Sequence, residues 1–334
     1  MLKHTVMAAA LSAASLMAQG TCYQVPTTSL NSGNVIPFGS TKANIPKWGN
    51  TKYQIMVLNT DLTKAGNICE LEFMASGTGT RHFDTMRIRL GYFALTGATL
   101  GTTFSANLKN AQTVLDIKNF DWPHTRNQWN PIGLQNSFFY VPQFGHLVIE
   151  ITVTGAHIGT SNGGPGFRVN NTRQRIWNSG WYSEPTHGTR VASNGLAVEV
   201  CYQTAMANVY GLGCPGSNNT IPALSFTGTP KQNGSFSLDV SGGQANANMF
   251  LVLGLQRVQT PLLLPGTTSC LAYPSLDIVL LQTMTSTGTF SQKFAIPNSV
   301  PGCFKVWIQA FPWDKNANGF GTSATNYGRL RIGL

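Results

Sequence analysis

The 334 residues suffice for about two domains, and aliphatic and aromatic side chains are too plentiful for a disordered chain. Only 10% of the residues are charged, against about 25% in an average soluble protein, and 35 glycines suit an all-β chain with many turns. The formal charge of +10 is spread over both halves without a Lys/Arg run or basic helix, which argues against nucleic acid and leaves a diffuse positive surface for an acidic polysaccharide or anionic cell surface.

Lys3 and His4 precede an apolar run, Val6–Met17, followed by small residues. This reads as a signal peptide, residues 1–18, cleaved after Ala18. The run is shorter than the roughly 20 residues a membrane span needs, and no later stretch qualifies. The expected protein is exported, extracellular or in the cell envelope, with no membrane span and no covalent anchor.

Residues 19–205 read as the first domain. Tyr53–Leu58 is a near-continuous apolar run. Cys69, Leu71 and Phe73 alternate with Glu70 and Glu72; Met86, Ile88 and Leu90 alternate with Arg87 and Arg89. Leu147–Thr154 and Leu196–Cys201 repeat the pattern. Period two with one polar face predicts sheets packed on a core from one side. No segment has a helical period, so a jelly-roll-like sandwich is the economical architecture.

Two stretches break the alternation, Asp121–Asn130 and Arg173–His187. They supply the candidate ligand contacts Trp122, Arg126, Trp129, Arg175, Trp177, Trp181 and Tyr182, with Asn127, Arg173, His124 and His187 nearby. A flat aromatic ring covers the C–H face of a pyranose, while amides and guanidinium groups bind its hydroxyls. The competing reading is that these large rings cap the ends of the sandwich. For catalysis, Glu70 and Glu72 share one strand face, about 6.5–7 Å apart, a spacing found in inverting glycosidases. No apolar pocket is suggested beside them, so a solvated face is the expectation. No G-x-S-x-G or H-E-x-x-H occurs; no catalytic residue, metal or cofactor is assigned.

Val198–Gly216 is the hinge between the halves. Its Gly211-Leu-Gly-Cys-Pro-Gly216 matches G-x-G-x-x-G, but Pro215 and Ser217-Asn-Asn-Thr220 begin no amphipathic helix. Without that helix a dinucleotide has no N-terminus to face, so the stretch reads as a turn. Residues 206–334 form the second domain, with strands expected over Ala223–Thr227, Ser235–Val240, Met249–Leu253, Leu276–Leu281, Thr289–Ala295, Phe304–Phe311 and Gly328–Ile332. Seven short strands suit an immunoglobulin-like sandwich. Asp314-Lys-Asn-Ala-Asn-Gly319 mimics the start of a calcium loop, but Thr325 stands where the bidentate Glu belongs, so a hairpin loop is expected.

Six cysteines, Cys22, Cys69, Cys201, Cys214, Cys270 and Cys303, suit disulfides in an exported chain. No C-x-x-C occurs, which argues against zinc. Cys201–Cys214 would staple the hinge and Cys22–Cys201 would join the first and last strands of the first domain; the connectivity stays open among 15 possibilities.

Gly211–Gly216, Phe250-Leu-Val-Leu-Gly-Leu255, Pro301-Gly-Cys-Phe-Lys-Val-Trp-Ile-Gln309 and Gly328-Arg-Leu-Arg-Ile-Gly333 resemble a C-terminal sandwich module of secreted bacterial proteins of unassigned function. Ile36-Pro-Phe-Gly39, Tyr53-Gln54 and Leu147-Val-Ile-Glu-Ile151 resemble the jelly-roll module that precedes it there. The resemblance implies fold and export and carries no catalytic residue. The functional expectation is an exported, non-enzymatic protein that binds glycan through its Trp-rich loops. The alternatives are a structural or adhesive envelope component and a glycan-cleaving hydrolase using Glu70 and Glu72.

Overall fold

The computed structural model describes residues 21–26, 30–34, 36–39, 49–96, 99–157, 166–191, 193–262 and 270–334. The expected signal peptide lies outside the described residues. The described chain is almost entirely β and divides into two compact units, Thr21–Tyr202 and Gln203–Leu334. The division falls inside the Val198–Gly216 stretch.

The first unit runs β1 (Thr21–Val25), β2 (Asn31–Asn34), β3 (Thr51–Val57), β4 (Gly66–Met74), β5 (Gly79–Phe93) and a single helical turn α1 (Phe104–Asn107). It continues through β6 (Lys109–His124), β7 (Trp129–Pro131), β8 (Phe138–Tyr140), β9 (His146–Thr154) and β10 (Phe167–Asn170). It closes with β11 (Arg175–Ser179), β12 (Thr189–Val191), β13 (Gly195–Leu196) and β14 (Val198–Tyr202). One antiparallel sheet has the order β12-β11-β3-β9-β5-β6; a second has β1-β14-β4-β7, with β8 also on β4. The alternation explains the layering. Tyr53, Ile55, Ile88, Leu90, Ile149 and Ile151 project from the six-stranded sheet into one core with Leu71, Phe73, Val198 and Val200 of the other.

The opposite face of the six-stranded sheet is not open to water. Lys52, Gln54, Glu150 and Thr152 are all buried. Next to them, Met56, Val148 and Ile176 pack against Leu100, Phe104 and Leu108, which come from the connection between β5 and β6. That connection is a lid over the sheet, and α1 is part of it.

The second unit runs β15 (Met206–Tyr210), β16 (Ala223–Gly228), β17 (Ser235–Ser241), β18 (Asn248–Gly254) and β19 (Arg257–Pro261). It continues with β20 (Leu271–Pro274), β21 (Ile278–Thr283), β22 (Phe290–Ala295), β23 (Lys305–Pro312) and β24 (Tyr327–Arg331). The sheets are β15-β24-β23-β18-β21 and β16-β17-β22, with β19 and β20 paired as a hairpin. Leu224, Leu238 and Val240 meet Met249, Leu251, Ile308 and Leu330 in its core. The seven expected strands all form; β15, β19 and β20 are added to them. On β23 both faces are covered, because Gln309 is buried and bonds the hairpin: its Oε1 accepts from the Tyr273 N–H at 3.0 Å and its Nε2 donates to the Leu271 carbonyl at 3.1 Å.

Two expectations need correction. The cross-strand pair Cys22↔Cys201 in β1 and β14 is a disulfide, and Cys214 is bonded to Cys270. The Cys201–Cys214 staple therefore does not form. All six cysteines are oxidised. Glu70 and Glu72 do not form a solvated face: both are buried. Glu70 Oε1 accepts the backbone N–H groups of Gly133 at 2.8 Å and Leu134 at 3.2 Å, so it anchors a turn.

Asp314 is also an anchor. Its Oδ2 accepts from the Ser217 N–H at 2.6 Å, the Ser217 hydroxyl at 2.9 Å and Gln244 Nε2 at 3.3 Å, while Oδ1 takes the Asn316 N–H at 3.2 Å. Burial alone would raise its carboxyl; those donors outweigh it and hold the group below the usual range. Among the described residues no helix is long and apolar enough to cross a membrane.

Candidate functional site

The seven candidate contacts do not share one surface. β11 and β6 are four strand spacings apart in the six-stranded sheet, roughly 19 Å. Trp122 on β6 pairs with Arg81 on the core-facing side and is 2% exposed. Its ring stacks on Phe167 at 5.1 Å and tilts against Phe38 at 4.9 Å, and its Nε1 donates to the Pro131 carbonyl at 3.1 Å. It is a core side chain. Trp129 is half-buried on β7, opposite Met74, in the other sheet. Arg126 is exposed in the turn between β6 and β7, where its N–H bonds Thr78 Oγ1 at 3.0 Å. Arg175, opposite Ile55, faces inward and is buried.

Trp181 and Tyr182 follow each other just beyond the end of β11, whereas Trp177, opposite Tyr53, turns its ring to the other face of the sheet and packs on the core. The local chain explains why. Gly180 takes a left-handed φ of 73°, which turns the chain out of the strand. Its N–H then bonds the Asn50 carbonyl at 2.9 Å, and Asn50 Nδ2 donates to the Trp181 carbonyl at 2.9 Å. The far side of the loop is tied to the lid: the Phe104 N–H bonds the Thr186 carbonyl at 3.1 Å, and the Gly188 N–H bonds the Thr102 carbonyl at 2.9 Å. A Cβ on Gly188 would meet Phe104 Cζ and the Trp177 carbonyl at 2.8 Å, so only glycine allows this approach.

The middle of the loop is held by charge. Glu184 Oε1 accepts from Lys52 Nζ at 2.6 Å, and both its oxygens accept from Arg87 Nη2 at 2.7 Å. Lys52 Nζ also lies 5.0 Å from the centre of the Phe104 ring, a cation–π contact that ties the ion triad to the lid. Partial burial would raise the Glu184 carboxyl, but the hydrogen bonds and charges of Lys52 and Arg87 outweigh it and hold the group below the usual carboxylate range. Glu184 is thus an ionised acceptor at neutral pH, not a proton donor. One row further along the sheet, buried Glu150 accepts from Gln54 Nε2 and Arg89 Nε, each at 2.8 Å. Asn107 of α1 donates to Gln54 Oε1 at 3.1 Å, so the second row is also stitched to the lid.

On this anchored loop Tyr182 is 90% exposed. Trp181 is half-buried beside it in sequence, and Glu184 and Arg87 each keep about a third of their side chains in water. The arrangement offers an aromatic face, an anionic acceptor and a guanidinium donor from a fixed backbone. Glu184, Arg87 and Lys52 were not among the sequence candidates. Their only sequence signal is that Arg87 lies on the polar side of a strand and Glu184 within an aromatic stretch; the pairing crosses about a hundred residues.

Two other clusters bring titratable groups together. Cys22, Glu72, Glu199 and Cys201 bring ligand atoms within 4.8 Å of one another, but the two sulfurs are bonded to each other, which removes the thiolates a metal would take. His82 bonds Asp121 Oδ1 through Nδ1 at 2.8 Å and packs its ring 4.7 Å from that of His157, itself paired in backbone with His82. This cluster closes the end of the β5–β6 ribbon.

No protein-family model matches the chain, and no curated protein matches it at a significant level.

Proposed function

We propose that this is an exported, non-catalytic binding protein whose first unit takes a polysaccharide on the 180–188 loop. The observation that carries the reading is Tyr182: an aromatic ring left 90% in water on a loop that is otherwise bonded down on both sides. A large apolar ring is ordinarily buried when its loop is ordered, because burial is favourable. Holding it out on a fixed backbone costs that burial and prepares the ring for a partner. A pyranose fits the neighbouring groups. Its C–H face lies on Tyr182, and its hydroxyls meet the ionised Glu184 and the Arg87 guanidinium. Fully oxidised cysteines suit an oxidising compartment, which supports export. The positive formal charge favours polymers that carry acid groups, without requiring them.

The test uses the full chain against neutral and acidic polysaccharides, read by pull-down and tryptophan fluorescence. Tyr182→Ala is expected to weaken binding by roughly tenfold or more, the loss typical of an aromatic anchor, with an unchanged melting temperature. Undiminished binding in that variant, or no binding by the wild type to any polymer, would overturn the reading in favour of a structural envelope component.

A further inference from the structure

The second unit carries a different surface. β21 is the terminal strand of the β15-β24-β23-β18-β21 sheet, so among the described residues its outer edge has no strand beside it. Its sequence, Ile278-Val-Leu-Leu-Gln-Thr283, holds no charge and no proline. Its register with β18, Leu253↔Ile278 through Phe250↔Leu281, contains no bulge. Edge strands in monomers are ordinarily protected by one of those devices. Two other edges follow that rule, since β22 turns Lys293 outward and β6 exposes Lys109, Asp116 and Lys118; the edges β15 and β16 are also uncharged, but of their large apolar side chains only Val209 is exposed.

The exposed residues are apolar. Ile278 is 53% exposed, Val279 51% and Leu281 62%, with Phe250 of β18 at 43% beside them and Leu255 and Leu276 at 54% and 75% near the strand start. They lie on both faces of the sheet. Ile278 shares the inner row with Leu253 and Ile308, whereas Val279 and Leu281 share the outer row with Val252 and Phe250. A helix or loop laid on one face would leave the other bare. A strand added to the edge covers both, since its own side chains alternate.

We propose that the occupant is the β21 of a second copy of this chain, paired antiparallel about a two-fold axis to make one continuous sheet. The segment is complementary to itself, as an isologous contact requires: apolar meets apolar on each face, whichever copy is viewed. Charge points the same way. A chain of formal charge +10 repels its own copies, and this uncharged edge is where two can approach without pairing like charges. The area is adequate. Six side chains leaving on the order of 100 Å² each expose roughly 600 Å², the top of the range for a monomer's largest patch. A standard interface buries about 800 Å² per partner, and the added strand contacts make up the difference.

The experiment is sedimentation velocity and light scattering on the full chain over a roughly hundredfold dilution series, which a reversible dimer must follow by mass action. A monomer–dimer equilibrium is expected for the wild type. V279K and L281K are expected to stay monomeric throughout, with the circular-dichroism melt of the dilute wild type. Hydrogen exchange on the wild type gives a readout independent of the variants: the alternate amides of 278–283 that point away from β18 should be protected only at high concentration. A wild type that is monomeric throughout would overturn the proposal. So would folded variants that still dimerise, open-ended growth, or outward-pointing amides that exchange equally at both concentrations.

Discussion

In the first unit the outer face of the six-stranded sheet carries Lys52, Gln54, Glu150 and Thr152, and all four are buried. In the second unit the last strand of the five-stranded sheet carries Ile278, Val279 and Leu281, and all three lie more than half in water. The two regions invert the usual association of polar with outside. Both obey the same period-two rule, which fixes which residues share a face. What the rule leaves open is whether anything is laid over that face. In the first unit the 99–108 connection and the 180–188 loop are laid over it, and Lys52, Gln54 and Glu150 are each answered by hydrogen bonds within the chain. In the second unit the β19–β20 hairpin bonds β23, and among the described residues no strand pairs with the outer edge of β21. The contrast suggests two ways of leaving a surface ready for a partner. One fixes polar groups around a displayed ring; the other leaves an apolar strand unpaired.

The sharpest way to break that comparison is to remove the most deeply buried charge on the covered face. Glu150 is 1% exposed and takes hydrogen bonds from Gln54 and Arg89. Glu150→Ala is expected to cost about 3 kcal/mol, at the low end for a severed buried pair because Arg89 retains some access to water. Denaturant unfolding at neutral pH measures it. A cost within about 0.5 kcal/mol, the range of ordinary surface changes, would mean that the lid does not seal this face.

The ion pairs of the neighbouring row should count for less, although they look alike. Glu184 keeps roughly a third of its side chain in water, so Glu184→Gln is expected to cost less than about 1 kcal/mol. Its pH dependence has a definite sign. The folded carboxyl titrates below its ordinary value of 4.5. Its contribution is therefore complete above the unfolded value and is lost as pH falls through the folded one. Wild type and Glu184→Gln should diverge in stability above pH 4.5 and converge below it. A difference that persists well below that pH would assign the effect to packing. Salt should shrink the gap between the two proteins at neutral pH, because the triad is partly open to ions.

Much of this was legible from the sequence, and the rest has identifiable reasons for being hidden. Leu147, Ile149, Ile151 and Val153 alternate and face the core, because side-chain direction in a strand is a local property. The all-β class and the seven strands foreseen in the second half rest on the same local rule. Trp122 shows its limit. It sits in a stretch that breaks alternation, yet its register opposite Arg81 turns the ring inward onto Phe38 and Phe167, from distant parts of the chain. Glu70 was expected in solvent because its strand alternates; a turn at Gly133 and Leu134 closes over it. Glu184, Lys52 and Arg87 meet from three separate segments, and no spacing announces that. What a strand's own residues decide can be read; what another segment lays over it cannot.

The smallest expected effect tests the bare edge. Leu281→Ser, measured at a concentration where the chain is monomeric, is expected to change the unfolding free energy by less than about 0.5 kcal/mol. The side chain is 62% exposed and its row neighbour Phe250 is 43% exposed, so little packing is lost on truncation. A buried leucine in the same sheet, such as Leu251 at 0% exposure, would cost several times more. If Leu281→Ser instead cost about 2 kcal/mol in the dilute protein, the residue would be packed without a second copy. The edge would then be covered by part of the same chain, and the two regions would have solved the exposure of their outer rows in the same way. If the cost is small in dilute solution and grows with concentration for the wild-type comparison, the missing packing is supplied from outside. Only that second result keeps the contrast between a face sealed within the chain and an edge that waits for another.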